Sequence, residues 1–249
     1  MYQKLIDKAK KLRLKTFEKF VETGEAHLGG SFSMIEMLVF VFEKILKKND
    51  KFILSKSHSS FPMCILLREK GYNPKLTTHL EIDVKNKIYC TTGSLGHGLP
   101  ISVGMAFSKK IQKKAGNIFV LISDGECQEG TTWESLLIAN KLNLSNLFIL
   151  VDYNKIQALT TLKEGLPLSS LSEKFKAFNC NVINVKDGHS FYEIKKSFKN
   201  KKDIKKPTVI IFNTIKGKGI KEFENDPVWH ARKLSEKDIK LGLNRLNKK

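Results

Sequence analysis

The sequence predicts a doubly wound, mostly parallel α/β sheet with helices on both faces, and three features carry that prediction. Short apolar, β-branched runs alternate with segments of helical period from end to end. The run PTVIIFNTI is apolar throughout, as a strand buried on both faces has to be. Between Ile118 and Ile156, IFVLISDGECQEGTTWESLLIANKLNLSNLFILVDYNKI reads as strand, tight acidic turn, helix, strand. That is one βαβ unit with oxygen ligands at both strand ends. No internal repeat or linker divides residues 1–249, so a single domain is expected.

Each element follows from local signals. Residues 2–22 form a long helix on the stripe Leu5, Ile6, Leu12, Phe17, Phe20 and Val21, stopped at Thr23-Gly24. The loop GEAHLGGS carries His27, and Ser33 is predicted to N-cap the helix MIEMLVFVFEKIL, with Glu36 closing a capping box. DKFILSKSHSSFPMCILLREKGY reads as strand, polar turn, helix, which puts His58 at the edge of a parallel sheet where ligands bind. Residues 73–89 lack periodicity and form a loop carrying His79. TTGSLGHGLPISVGMAFSKKIQKK is a glycine-rich turn entering a helix; Gly93, Gly96 and Gly98 permit close backbone approach. No strand directly precedes this turn, so it is not a dinucleotide-binding fingerprint. Beyond the βαβ unit come a polar loop over the site (159–172), a short helix (171–178), the strand CNVINV, and the helix HSFYEIKKSFKN with Asp187 as its N-cap. KGKGIKEFENDPVWHARKL is a turn-rich excursion, and a helix from about Glu236 follows it.

Composition narrows the function classes. A hydrophobic share of 41% and a charged share of 28% are ordinary for a globular protein, and no apolar run approaches the ~20 residues of a spanning helix. The amphipathic N-terminal segment lacks the apolar centre of a signal peptide, and Cys64, Cys90, Cys127 and Cys180 show no CxxC pairing. A cytoplasmic protein with neither a zinc site nor a disulfide framework is therefore expected. The net charge of +19 is mostly lysine, in pairs such as Lys109-Lys110, Lys113-Lys114, Lys201-Lys202, Lys205-Lys206 and Lys248-Lys249. With few arginines and no aromatic interleaving, these read as solvated faces, and nucleic acid stays a minor option as a partner.

The chemistry concentrates in the central unit. Asp124 and Asn154 place two oxygen donors at neighbouring strand ends, with a helix start near Gly130 between them. Magnesium takes few protein ligands, so an Asp, an Asn and a backbone carbonyl would leave about three positions for a diphosphate and water. Gly125 lets the backbone approach that diphosphate, and the helix start favours negative charge. Asp-Gly is equally a common turn pair; the asparagine at the next strand end favours the ligand reading. Taken alone, His27 reads as a loop histidine.

The run SDGECQEGTTWESLLIANKLNLSNLFILVDYNKIQ resembles the thiamine diphosphate motif, which opens with Gly-Asp-Gly and closes with Asn about thirty residues later. HLGGSFSMIEML, FILSKSH, TTGSLGHGLPISVGMA, IKGKGI and ENDPVWH are similar, in order, to signatures of the transketolase branch. The resemblance covers most of the chain and matches the diphosphate-binding module alone, as in the N-terminal subunit of a split transketolase.

That resemblance implies a set of roles. Asp124, Asn154 and the Ile156 carbonyl match ligands of Mg2+ (or Ca2+ or Mn2+). Gly125, the adjoining Glu126, His58 and His230 match the diphosphate contacts, and Gly93, Ser94 and Leu95 the segment meeting the aminopyrimidine. His27, His79 and His230 match histidines around the reacting sugar, and Glu129 a carboxylate linking paired cofactor sites. His97 is site-adjacent and His189 structural. The implied reaction transfers a two-carbon ketol unit from a ketose phosphate to an aldose phosphate on thiamine diphosphate, the histidines hydrogen-bonding and shuttling protons. The implied partner is a separate C-terminal subunit carrying the pyrimidine-binding module, in an α2β2 assembly. Because the activating glutamate belongs to that module, the chain alone is expected to be inactive.

Several positions depart from the pattern. Ser123 replaces its first glycine, Ala26 and Leu28 replace Gly and Pro around His27, Ser57 replaces the glycine before His58, and Ser94 replaces a common proline. The changes around His27 leave open a specialised-pathway enzyme acting on an unusual sugar. A non-catalytic module that kept the fold is a second alternative, opposed by the intact Asp124, Asn154, His58 and His230. The α-subunit of a 2-oxo acid dehydrogenase is a third, opposed by ENDPVWH and GSLGHG.

Overall fold

The computed structural model describes residues 2–158, 160–199 and 205–247. Leu159 at the start of the predicted loop, Asn200 at the end of a predicted helix, and the pairs Lys201-Lys202 and Lys248-Lys249 lie outside the described residues. The strands are β1 (Lys51–Leu54), β2 (Ile118–Ser123), β3 (Leu147–Tyr153), β4 (Asn181–Val185) and β5 (Thr208–Asn213). They form one sheet in the order β1-β2-β3-β5-β4, with every pairing parallel. All strands therefore point the same way, and their carboxyl ends gather along one edge.

The helices are α1 (Gln3–Thr23), α2 (Leu28–Ser33), α3 (Ile35–Phe40), α4 (Phe61–Glu69), α5 (Gly98–Ile111), α6 (Gly130–Lys141), α7 (Leu171–Ala177), α8 (Phe191–Ser197) and α9 (Glu236–Leu246). Alternate strand residues divide between two cores. Phe119, Leu121, Leu150, Ile210 and Phe212 face α1 to α4 and α8, whereas Val120, Ile122, Ile149, Val151, Val209 and Ile211 face α5, α6 and α7. Burial on both faces explains why the strands read as continuous apolar runs. The predicted doubly wound architecture is the observed one.

Two predicted caps are corrected. The chain turns helical at Leu28, with His27 left-handed at φ 73°, well before the Ser33 cap would have it. Helix α2 breaks at Met34, and α3 ends in a π turn over Val41–Ile45. Ser33 faces inward, donating to Asp152 Oδ2 at 2.6 Å, and Glu36 pairs with Arg13 and His189. Buried charge satisfaction outweighs a local capping box here. Asp187 likewise does not cap α8; it accepts from the His189 N–H, while Ser190 accepts from the Glu193 N–H. The α9 start agrees with the sequence, closed by a capping box of Ser235 and Asp238.

Candidate active site

The strand carboxyl ends enclose a cavity of about 260 Å³ lined by Asp124, Gly125, Asn154, Ile156, His58, His230, Leu95 and Glu129. Lys56, Lys216, Gly30 and Gln157 share that lining. Register accounts for the convergence: Ser123 pairs with Asp152 across β2 and β3, so the turns after both strands meet. Asp124 Oδ1 accepts from the Gly125 N–H at 2.9 Å and Oδ2 from the Lys155 N–H at 2.6 Å. Asn154 Oδ1 accepts from the Ile156 N–H at 3.1 Å. The three nominated metal donors thus lie on two adjoining turns, joined by the Lys155 N–H that Asp124 accepts.

Asp152, one of the residues sequence reasoning missed, orients this turn. Its carboxylate accepts from Lys56 Nζ, Ser33, Thr214 and, at 3.2 Å, Asn154 Nδ2. An acceptor-only carboxylate on one side and a backbone N–H on the other define which way the Asn154 amide faces. Burial pushes the Asp152 carboxyl up, but the Lys56 charge and these hydrogen bonds outweigh it and hold it below the usual range. Asp124 lacks such a partner: burial, reinforced by the Asp152 charge, raises it to about 7.

The histidines form a second cluster. The His27 ring lies 5.4 Å from those of both His58 and His230, with His58 and His230 5.5 Å apart. His79 stands at the exposed rim, 6.2 Å from His27. Burial lowers the His58 pKa well below its ordinary value, with Lys56 adding to the effect. Burial, then Lys216, brings His230 to about 3, and burial, then His79, lowers His27. These three rings are neutral at physiological pH, and the positive charge of the cavity resides on lysine.

The remaining nominated residues separate by position. Gly93 underlies the rim: at φ 149° it approaches His79 so closely that a Cβ there would meet the ring at 2.6 Å. Ser94 is exposed, and His97 is exposed at the start of α5. The Glu126 side chain does not line the cavity. It is fully buried, accepting from Ser55, the Gly96 N–H at 3.1 Å and the Ser123 N–H at 2.8 Å, and it ties the glycine turn to β1 and β2. His189 is structural as expected, bridging Glu36 and the Ile215 N–H. Lys56 and Lys216 were missed because lysine is ordinarily exposed and this chain is rich in it. The available signal was their placement directly at the exits of two strong strands.

Similar proteins point the same way. Residues 3–247 match the family model described as transketolase, thiamine diphosphate binding domain. The chain is 33% identical to a subunit of the 6-deoxy-6-sulfo-D-fructose transketolase of Clostridium sp. (strain MSTE9), covering 95% of this chain and 94% of that one. It is 32% identical to one subunit of the apulose-4-phosphate transketolase of Actinobacillus succinogenes, covering 98% and 96%. Transketolase from Leishmania mexicana superposes with a TM-score of 0.87 at 23% identity, over 98% of this chain and 41% of that longer one. The chain thus spans less than half the length of that single-chain structure.

Proposed function

The chain belongs to the transketolase family of thiamine diphosphate-dependent transferases, and from that premise we propose that it is the diphosphate-binding subunit of a two-chain transketolase. One observation carries the reading: a buried carboxylate, an amide oxygen and a carbonyl meet where two strand-end turns adjoin, beside two buried lysines and neutral histidines. In this reading residues 1–249 are one module, working in the cytoplasm and completed by a separate pyrimidine-module subunit in an α2β2 assembly.

The residues suit the cofactor. Asp124, Asn154 and the Ile156 carbonyl are hard oxygen donors, the set that Mg2+ takes and that Ca2+ or Mn2+ also accepts. Among the described residues no cluster of three His, Cys, Asp or Glu side chains suits a metal. The mixed donor set therefore relies on ligand oxygens to complete its shell. A Cβ at Gly125 would meet only Ser123 Oγ, at 3.8 Å. The fold itself does not demand glycine there, which is consistent with a ligand occupying that side.

When bound, thiamine diphosphate supplies the electron sink for breaking and remaking a carbon–carbon bond. The chain's own residues bind and orient. Asp124, Asn154 and Ile156 would hold the cation; His58 and His230 would donate to the diphosphate, and Gly125 would let the backbone approach it. Leu95, on the turn carrying Gly93 and Ser94, lines the cavity and would meet the aminopyrimidine. His27, His79 and His230 would surround the sugar phosphate, and Glu129 would link the paired cofactor sites. Ala26 and Leu28, together with two relatives named for 6-deoxy-6-sulfo-D-fructose and apulose-4-phosphate, favour an unusual sugar within this reaction class.

The test mixes this chain with the pyrimidine-module subunit encoded nearest to it, Mg2+ and thiamine diphosphate, and measures ketol transfer between sugar phosphates. Activity is expected only in the mixture and is expected to vanish with Asp124→Ala. Turnover by this chain alone, or by the alanine variant, would overturn the assignment.

A further inference from the structure

A second cavity lies at the amino end of β1, the end of the strand remote from the candidate active site, and shares no lining residue with that site. At about 240 Å³ it is nearly as large as the candidate site's 260 Å³. Its character changes with depth. Phe42 and Phe52 are buried and meet edge to face at 5.1 Å, with the buried Met63 and Leu67 beside them. Tyr72 and Tyr89 are half-buried, and neither hydroxyl makes a hydrogen bond to a described residue. Lys47, Lys48 and Lys70 are exposed, Lys87 is half-buried, and no carboxylate lines the cavity.

The positive charge is not cancelled locally. Glu43 pairs with Lys8 and Lys70, and Asp50 accepts from the Lys47 and Asn117 N–H groups. Among the described residues, Lys47, Lys48 and Lys87 have no carboxylate within ion-pair distance of their ammonium groups. Lys87 Nζ lies 5.1 Å from the Tyr72 ring centroid and Lys51 Nζ 4.8 Å from that of Tyr89, which gathers cations around the tyrosine walls. The backbone is irregular here too. The Leu46 N–H reaches back five residues to the Val41 carbonyl, closing the π turn that bears Phe42, and such turns recur at functional sites.

An apolar floor beneath unpaired hydroxyls and cations suits a ligand that is flat and apolar at one end and anionic at the other. Aromatic walls accept a ring face, tyrosine hydroxyls pair with ring heteroatoms, and ammonium groups hold a phosphate as point charges. We propose that this cavity is a binding site for a heteroaromatic phosphate of mononucleotide size, separate from the candidate active site. The ring enters between Tyr72 and Tyr89 toward Phe42 and Phe52, and the phosphate stays at the lysine rim. The site is independent of the proposed ketol transfer.

Titration calorimetry of the full chain in EDTA tests this, with AMP as the probe and adenosine and inorganic phosphate as its two halves. AMP is expected to bind at least about tenfold more tightly than either half. Lys47→Glu combined with Lys48→Glu, both at exposed positions, should weaken AMP binding about tenfold and leave the circular dichroism spectrum unchanged. Tyr89→Ala should weaken AMP and adenosine alike, whereas His58→Gln, in the candidate active site, should leave AMP binding as it was. No AMP binding at millimolar concentration overturns the proposal, and so does either half binding as tightly as AMP. AMP binding that is lost in His58→Gln and kept in the double lysine variant also overturns it, by putting the nucleotide in the cofactor cavity. If Tyr89→Ala fails to fold, the double lysine variant still decides.

Discussion

Replacing Asp124 with asparagine should stabilise the metal-free chain at neutral pH while abolishing metal-dependent cofactor binding. Asp124 is 2% exposed, and burial followed by the Asp152 charge raises its pKa from the ordinary 3.8 to about 7. The folded chain therefore holds this proton more tightly than the unfolded chain does. Stability falls as pH rises across that interval and stays at the reduced level above it. At ~1.4 kcal/mol per pH unit, the whole interval is worth about 4 kcal/mol. Asparagine removes the charge, but one of the two backbone N–H groups now paired with the carboxylate would face an amide N–H, which takes back about 1 kcal/mol. The variant should thus gain about 3 kcal/mol near pH 8 and lose about 1 kcal/mol near pH 4. Urea unfolding followed by circular dichroism in EDTA measures both. Repeating it with Mg2+ and thiamine diphosphate should stabilise the wild-type chain by mass action and leave the variant unmoved. An equal stability change at both pH values would refute the electrostatic reasoning; ligand stabilisation of the variant would refute the ligand assignment.

Three further outcomes follow from the same geometry. Lys56→Met leaves the fully buried Asp152 without its cation and should lower stability by about 3–5 kcal/mol in denaturant titrations, with partial recovery on adding Asp152→Asn. Burial opposes ionisation of Glu36, yet Arg13 and His189 prevail and bring it down to about 2 from an ordinary 4.5. Its stabilisation is complete above 4.5 and is lost as pH falls toward 2, so Glu36→Gln should cost about 3 kcal/mol at neutral pH, shrinking on acidification. Gly30→Ala would set a Cβ 2.6 Å from Ser59 Oγ and 3.6 Å from both His58 Nε2 and Lys56 Nζ. It should cost about 1–3 kcal/mol and weaken cofactor binding in calorimetry while the chain stays folded.

Much of the site was legible because its residues sit at strand ends that hydrophobic patterning locates. Asp124 and Asn154 close apolar runs, His58 follows one, and each therefore lies on the carboxyl edge of the sheet. The caps misread at Ser33 and Asp187 carry the opposite lesson. Both have the local sequence of an N-cap, but a buried carboxylate in one case and a neighbouring N–H in the other offered a better partner. Glu126 shows a third outcome: the sequence motif placed it beside the diphosphate, whereas its side chain braces the glycine turn from behind.

Periodicity and turn chemistry are local properties, and the sequence by itself determined from them the parallel sheet, the helices on both its faces and the edge where ligands gather. Only the tertiary structure decided the strand order and which lysines go inside. Lys56 is buried because Asp152, 96 residues away, neutralises it. Lys216 is buried because two carbonyls and His230 converge on its ammonium group. A charge enters the interior only where distant partners replace its water, and no stretch of sequence records that convergence.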